Sequence, residues 1–329
     1  MNYSLQEYAN DIVYGLREIC DAAKVAHPTI VSESGRATAA HHAVLVIEVI
    51  GAIEFQERVS EQPPANVAPV VHRLYEAYRD LSRKNMLESY HDAQDFKEQC
   101  LQMFILGSLS LDERVAAENI YWALCHKVLR LAKELDEMPE DLEHLERDLS
   151  DTYFCNFSVF QSLPDSWAID HLFPIMPVHR LAEEPTRRAV LADITCDSDG
   201  KLDHFIGKRD VKDVLELHPL KDDSYYLGIF LAGAYQEILG DLHNLFGDTN
   251  DVQVRVPEGG GYLIDNVIPG DTVTEVLNYV SYSRDDLMAK LRRSVEQSLR
   301  TGQISLDDSR SLMRAYEEGL NGYTYLERE

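Results

Sequence analysis

Hydrophobic positions near the start of the chain recur at intervals of three and four. Leu5, Tyr8, Ile12, Val13, Leu16 and Ile19 fall on one face of a helix. His27-Pro28 breaks that pattern. Thr29-Ile30-Val31-Ser32-Glu33 then reads as a short strand ending at Gly35. A second helix is expected from about Thr38 to Ile50, with Gly51 as its stop signal. Helix, strand, turn and helix in this order suggest the tail of an α/β repeat.

The texture changes near Gln62-Pro63-Pro64. Between Pro69 and about Leu149 the periodicity gives four helical stretches and no convincing strand. Val70, Val71, Leu74, Tyr75 and Tyr78 form one apolar stripe, and Tyr90, Ala93, Phe96, Cys100 and Phe104 another. A capping box at Ser110 and Glu113 opens the third, and a short acidic fourth begins near Pro139. Short connections would make these an antiparallel bundle, with the stripes as its core.

From about Asp151 the pattern becomes β-like. Strands are expected at Tyr153–Val159, Arg188–Ile194, Tyr225–Leu231, Val252–Val256 and Gly261–Ile264. Turns rich in Gly, Asp and Pro separate them, which suits a mostly antiparallel sheet or barrel. Gly259-Gly260-Gly261 reads as a hairpin turn. Two helices close the chain, at about Arg284–Leu299 and Leu306–Leu320.

With 329 residues, the chain can bury a sizeable core in roughly two or three domains. No apolar run approaches the roughly 20 residues of a membrane helix, and the first residues carry no secretory pattern. Five scattered cysteines without a CxxC or Cys/His cluster point to free thiols in a cytoplasmic protein and away from structural zinc. The net charge of −26, from 31 basic and 57 acidic residues, repels nucleic acid and anionic membranes and suits a cationic substrate.

Three short motifs could carry chemistry. In Glu33-Ser34-Gly35-Arg36, the glycine lets backbone approach a phosphate and the arginine offers a charged fork for its oxygens. Glu33 could bond a protonated pyridine nitrogen. The same residues also fit an ordinary strand-to-helix turn. In Thr195-Cys196-Asp197-Ser198-Asp199-Gly200, a thiol stands beside a carboxylate, able to deliver a proton and to hold a cation. An acidic turn is the plainer alternative; a calcium loop lacks the remaining ligand spacing. In Gly233-Ala234-Tyr235-Gln236, small residues allow a close approach and the phenol can donate to a phosphate, although a core tyrosine would look the same. His243 reads either as a metal ligand or as a satisfied helix-end histidine. No hydrolase elbow, Walker loop or HExxH occurs.

Together and in this order, the three motifs resemble those of the fold-type III pyridoxal-phosphate decarboxylases, the biosynthetic arginine decarboxylase branch in particular. The resemblance is strongest from Asn156 to Asn250 and returns at Gly270–Val280 and Gly322–Leu326. It implies α/β plus β architecture: the last unit of a cofactor-binding (β/α)8 barrel at 1–51, an inserted helical bundle at 52–150, a β-barrel domain at 151–283 and terminal helices at 284–329. Thr29 to Glu33 would be the last barrel strand.

The resemblance assigns Glu33, Gly35, Arg36 and Tyr235 to pyridoxal 5'-phosphate. Cys196 would be catalytic, reaching a partner subunit's site with Asp197, so a homodimer or larger homo-oligomer is implied. Asp165, with Asp170 second, would meet the guanidinium of L-arginine. The family's magnesium dependence places no ligand here. The lysine that anchors the coenzyme, its stacking histidine and its glycine-rich phosphate strand have no counterpart in this chain. The chain is therefore expected to be roughly the C-terminal half of an enzyme making agmatine for polyamine synthesis. The alternative is a non-catalytic remnant that pairs with a lysine-bearing half or a full-length subunit.

Overall fold

The computed structural model describes residues 4–54, 67–135, 138–142, 144–208, 210–221 and 223–327. The expected break at Gln62-Pro63-Pro64 lies outside them. Helix α1 (Leu5–Ala23) begins with Ser4 and Glu7 bonding each other's backbone N–H. A short turn of helix, α2 (Arg36–Ala39), follows Gly35.

The expected strand at residues 29–33 does not form. That segment is extended and exposed, with Val31 88% accessible. No neighbouring strand pairs with it among the described residues, and without a ladder its backbone groups are left to water. The expected helix at 38–50 is also corrected. Residues 44–53 instead form β1 (Val44–Ile53), the longest strand described. An apolar run of this length satisfies either period. The β-branched content and two flanking ladders decide for strand. Ile47 and Val49 point inward, whereas Val44 and Val46 remain about half exposed. The expected boundary at residue 51 falls inside β1.

The bundle comprises α3 (Pro69–Asp80), α4 (Met86–Ile105), α5 (Leu111–Ala132) and the short α6 (Leu145–Asp148). Ser110 and Glu113 make the expected capping box at the start of α5. Val71, Leu74, Ala93, Leu124 and Val128 are sealed in a core of the bundle's own.

Strand β2 (Asp151–Cys155) leads into α7 (Val159–Ser162) and α8 (Pro164–Ile169). Then come β3 (Ile175–Pro177), β4 (Arg187–Ala192), β5 (Lys201–Leu202), β6 (Phe205–Ile206), β7 (Val211–Lys212), β8 (Leu215–Leu217) and β9 (Tyr225–Phe230). A seven-stranded, nearly closed barrel-like sheet runs β3-β9-β1-β2-β4-β5, with β8 beside β4. Tyr153, Phe157, Leu191, Leu217, Leu227 and Ile229 fill its core. Among the described strands of this sheet, only the β2–β4 pair is parallel. Strands β1 and β2 are antiparallel neighbours, with Ile53 opposite Thr152, and the whole bundle lies between them in sequence.

Strands β10 (Asp251–Arg255) and β11 (Leu263–Ile268) form a separate exposed hairpin, turned by Gly260 and Gly261 at φ 83° and 80°. Helices α9 (Val273–Tyr279), α10 (Arg284–Arg300) and α11 (Leu306–Asn321) follow. The tail returns to the sheet. Asn156 and Leu326 exchange two hydrogen bonds, and Tyr325 donates to the Gly247 carbonyl at 2.9 Å. Among the described residues, no helix is long and apolar enough to cross a membrane.

Candidate active site

Sheet topology explains why motifs remote in sequence converge. Strand β1 runs antiparallel to β9 with Val44 opposite Phe230, so the segment before β1 meets the segment after β9. Strand β1 is also antiparallel to β2, with Val49 opposite Cys155. Because β4 is parallel to β2, its end points the same way. Residues 35–43, 156–170, 193–200 and 231–246 are thereby delivered to one end of the sheet.

The turn after β9 packs tightly onto the turn before β1. The Gly233 N–H donates to the Ala40 carbonyl at 2.9 Å, and a Cβ on Gly233 would collide with Ala39 and His42. Leu231 and Tyr235 both take left-handed backbone, at φ 64° and 66°. Non-glycine residues adopt that region rarely, and such strain concentrates at functional sites. The bend brings the Tyr235 phenol over Gly35, where any Cβ would strike the hydroxyl. The Arg36 guanidinium lies over the Tyr235 ring, 4.9 Å from its centroid.

Asp165 completes this group from α8. Arg36 Nη2 donates to its Oδ2 at 2.5 Å, and Gln236 Nε2 donates to the same oxygen at 2.8 Å. Gln236 Oε1 in turn accepts from the Asp165 backbone N–H at 3.3 Å. Both Asp165 and Gln236 are buried. Burial pushes the Asp165 carboxyl upward, but the bonds from Arg36 and Gln236 outweigh it and hold the group below its ordinary value. His171 is pushed the same way, first by burial and then by the Arg36 charge. Arg36 spends one nitrogen on Asp165. Its ring-stacked fork, the Tyr235 hydroxyl and the Cβ-free Gly35 form a cradle suited to an anionic phosphate.

Cys196 and Asp197 lie in the loop after β4, which Asp193 staples. The buried Asp193 carboxylate accepts from the Val159 N–H at 2.9 Å and from both the N–H and hydroxyl of Thr195 at 2.8 Å. Burial still raises its pKa, in spite of those bonds. Cys196 is exposed, and the other four cysteines are buried. Its N–H donates to Asn244 Oδ1 at 3.1 Å. Asp197 Oδ1 accepts from the Asp199 N–H at 2.9 Å, and its Oδ2 faces His243 Nε2 at 3.6 Å. His243 packs on Phe160, which packs on Trp167 of the Asp165 helix.

The structure therefore brings Gly35, Arg36, Tyr235 and Asp165 together, with Cys196 and Asp197 in the adjoining loop. Glu33 is exposed on the extended segment before Gly35. Asp170 is exposed too, capping α8 in left-handed backbone at φ 53°. His243 opens a single turn of 3-10 helix, and its buried Nε2 faces Asp197 without a hydrogen-bond partner. The acidic loop has the Asx-turn geometry of the plainer alternative, although it also presents the thiol. Among the described residues, no three His, Cys, Asp or Glu side chains are grouped to hold a metal, so magnesium has no ligand set there.

Sequence reading missed Gln236, Asp193 and Asn244 as organising residues. Gln236 closes the Gly233–Gln236 motif with no distinguishing signal, and Asp193 interrupts the apolar run Arg188–Ile194, where a carboxylate is out of place. That misplaced charge was the usable signal.

Two family models match the chain. The arginine decarboxylase helical bundle domain covers residues 64–146, and the arginine decarboxylase C-terminal helical extension covers residues 273–326. A biosynthetic arginine decarboxylase of Gloeobacter violaceus is 52% identical over 333 residues, spanning 100% of this chain and 52% of that protein. One from Nostoc sp. is 49% identical over 326 residues, spanning 99% of this chain and 48% of the relative. The crystal structure of the biosynthetic arginine decarboxylase from Campylobacter jejuni superposes with a TM-score of 0.82 at 34% identity, covering 100% of this chain and 53% of that one. The chain spans about half the length of the curated relatives it matches.

Proposed function

We propose that this chain, similar to biosynthetic arginine decarboxylases over the part it spans, is the C-terminal portion of a pyridoxal-phosphate-dependent enzyme that converts L-arginine to agmatine and carbon dioxide. The observation that carries this reading is the meeting of Arg36, Tyr235 and Asp165, three residues from separate segments, at one end of the sheet. A guanidinium, a phenol and a glycine without steric bulk suit a phosphate. A buried carboxylate already bonded to one guanidinium suits a substrate that carries another.

On this reading Gly35, Arg36 and Tyr235 hold the coenzyme phosphate, and Glu33 faces its pyridine nitrogen. Asp165, with Asp170 second, receives the substrate's guanidinium. The coenzyme, when bound, supplies an electron-accepting ring for the pair left by departing carbon dioxide. Cys196 holds a proton at Sγ for return to the α-carbon, and Asp197 holds the substrate's cationic end. Both would act in the site of a second copy, making the enzyme at least a homodimer. The product feeds polyamine synthesis in the cytoplasm.

The test pairs this chain with the lysine-bearing half of the Gloeobacter violaceus relative and offers arginine, ornithine and diaminopimelate. Agmatine release from arginine alone supports the proposal. Turnover of either other substrate in preference to arginine contradicts it.

A further inference from the structure

His243 and Asn244 are neighbours in a kinked turn, and they reach two residues that are themselves neighbours. Asn244 Oδ1 accepts the Cys196 N–H at 3.1 Å. His243 Nε2 faces Asp197 Oδ2 at 3.6 Å. The turn can do both because Asn244 and Leu245 take left-handed backbone, at φ 55° and 59°. Asparagine tolerates that region better than most residues. The turn is fixed to the sheet end by the Asp241 N–H, which donates to the Phe160 carbonyl at 3.0 Å.

Packing does not explain the choice of histidine. Its ring lies 4.4 Å from the Phe160 ring, centroid to centroid, a contact that phenylalanine would make as well. Histidine instead buries a nitrogen with no hydrogen-bond partner. An unsatisfied buried polar atom is unfavourable unless it serves something nearby, and the nearby charge is the Asp197 carboxylate. The other Asp197 oxygen already accepts the Asp199 N–H. The second oxygen faces the His243 ring nitrogen at 3.6 Å, an electrostatic approach rather than a hydrogen bond.

We infer that His243 and Asn244 are positioning residues: Asn244 sets the Cys196 backbone and His243 sets the Asp197 carboxylate, so that thiol and carboxylate are presented together as one rigid pair. The inference rests on the assignment of Cys196 and Asp197 to the reaction. It adds two residues that act through their neighbours, Asn244 on Cys196 and His243 on Asp197.

Amide hydrogen exchange resolved to single residues, in the complete enzyme with coenzyme bound, tests the clamp without relying on turnover. Asn244→Gly keeps the left-handed backbone and removes the acceptor, so exchange at the Cys196 amide should rise about tenfold, as expected for one lost hydrogen bond. Asn244→Asp keeps an acceptor and should restore protection. His243→Phe keeps the ring contact and frees Asp197, so exchange at the Asp199 amide should rise several-fold. That rise should vanish when Asp197→Ala is already present. The kcat should fall in Asn244→Gly and His243→Phe, with coenzyme absorbance retained. Unchanged exchange at both amides, or acceleration spread through the whole sheet, overturns the clamp whatever the turnover. Local acceleration with unchanged kcat leaves the clamp standing and removes Cys196 and Asp197 from the reaction.

Discussion

Arg36 Nη2 donates to Asp165 Oδ2 at 2.5 Å, joining residues 129 positions apart. One partner is the proposed phosphate ligand and the other the proposed guanidinium ligand. Each ligand's binding group is thus held in place by the other's.

Arg36→Ala should weaken coenzyme binding by about 1.5–3 kcal/mol, the range for a hydrogen bond to a charged group. Because Arg36 is partly exposed, its loss should lower stability by less, about 1 kcal/mol. Absorbance titration with pyridoxal phosphate and urea unfolding measure the two effects separately. Coenzyme affinity equal to that of the unaltered protein would remove Arg36 from the phosphate site.

Asp165 links this pair to pH. Its folded pKa is held below the ordinary aspartate value of about 3.9, so its stabilising contribution is complete above that value. The contribution is lost as pH falls through the lower, folded pKa. Melting temperature measured across the acid range should fall more steeply in the unaltered protein than in Asp165→Asn. Parallel acid limbs would contradict the assignment.

Gly35→Ala places a methyl group where the Tyr235 hydroxyl sits. Tyr235 is 43% exposed and can swing outward, so the fold should survive with a melting temperature within a few degrees. The proposed phosphate cradle should not survive. Coenzyme titration should show at least about a tenfold loss, equivalent to one hydrogen bond to a charged group.

Asp193→Asn replaces a carboxylate that accepts three donors with an amide that has one oxygen. The amide N–H must then face the Val159 N–H or the Thr195 donors. A loss of about 1–3 kcal/mol in urea unfolding is expected. Loosening should centre on residues 193–200, where a Cβ on Gly200 would also strike Asp193 and Thr195.

Cys196→Ala should retain coenzyme absorbance and lose turnover or product fidelity. Of the five cysteines, Cys196 is exposed and four are buried, so a single-hit alkylation should reproduce the effect. Kinetics identical to those of the unaltered enzyme would remove the thiol from the reaction.

The bundle and terminal helices were readable because their signals are local. Ser110 and Glu113 mark the start of α5 within four residues, and apolar stripes such as Val70, Val71, Leu74 and Tyr75 mark the packed face of α3. Strand β1 was not readable, because its apolar run fits a buried helix equally well until β9 and β2 flank it. The expected strand at 29–33 fails for the converse reason: local β propensity without a neighbour makes no ladder. At the site, Gly35, Arg36 and Tyr235 stood out by residue type. Gln236 did not, because its role is set by a carboxylate 71 positions away.

The pairing of Ile53 with Thr152 has a consequence for how the bundle is attached. The described bundle helices α3 to α6 fall between those two residues in sequence, and the strands that carry them lie side by side. The bundle's two ends are thus neighbours on the sheet, and Arg147 and Glu146 of α6 add bonds to Asp203 and Arg188. The helical bundle therefore joins the sheet between two adjacent antiparallel strands, and the motifs converge at the opposite end of β1.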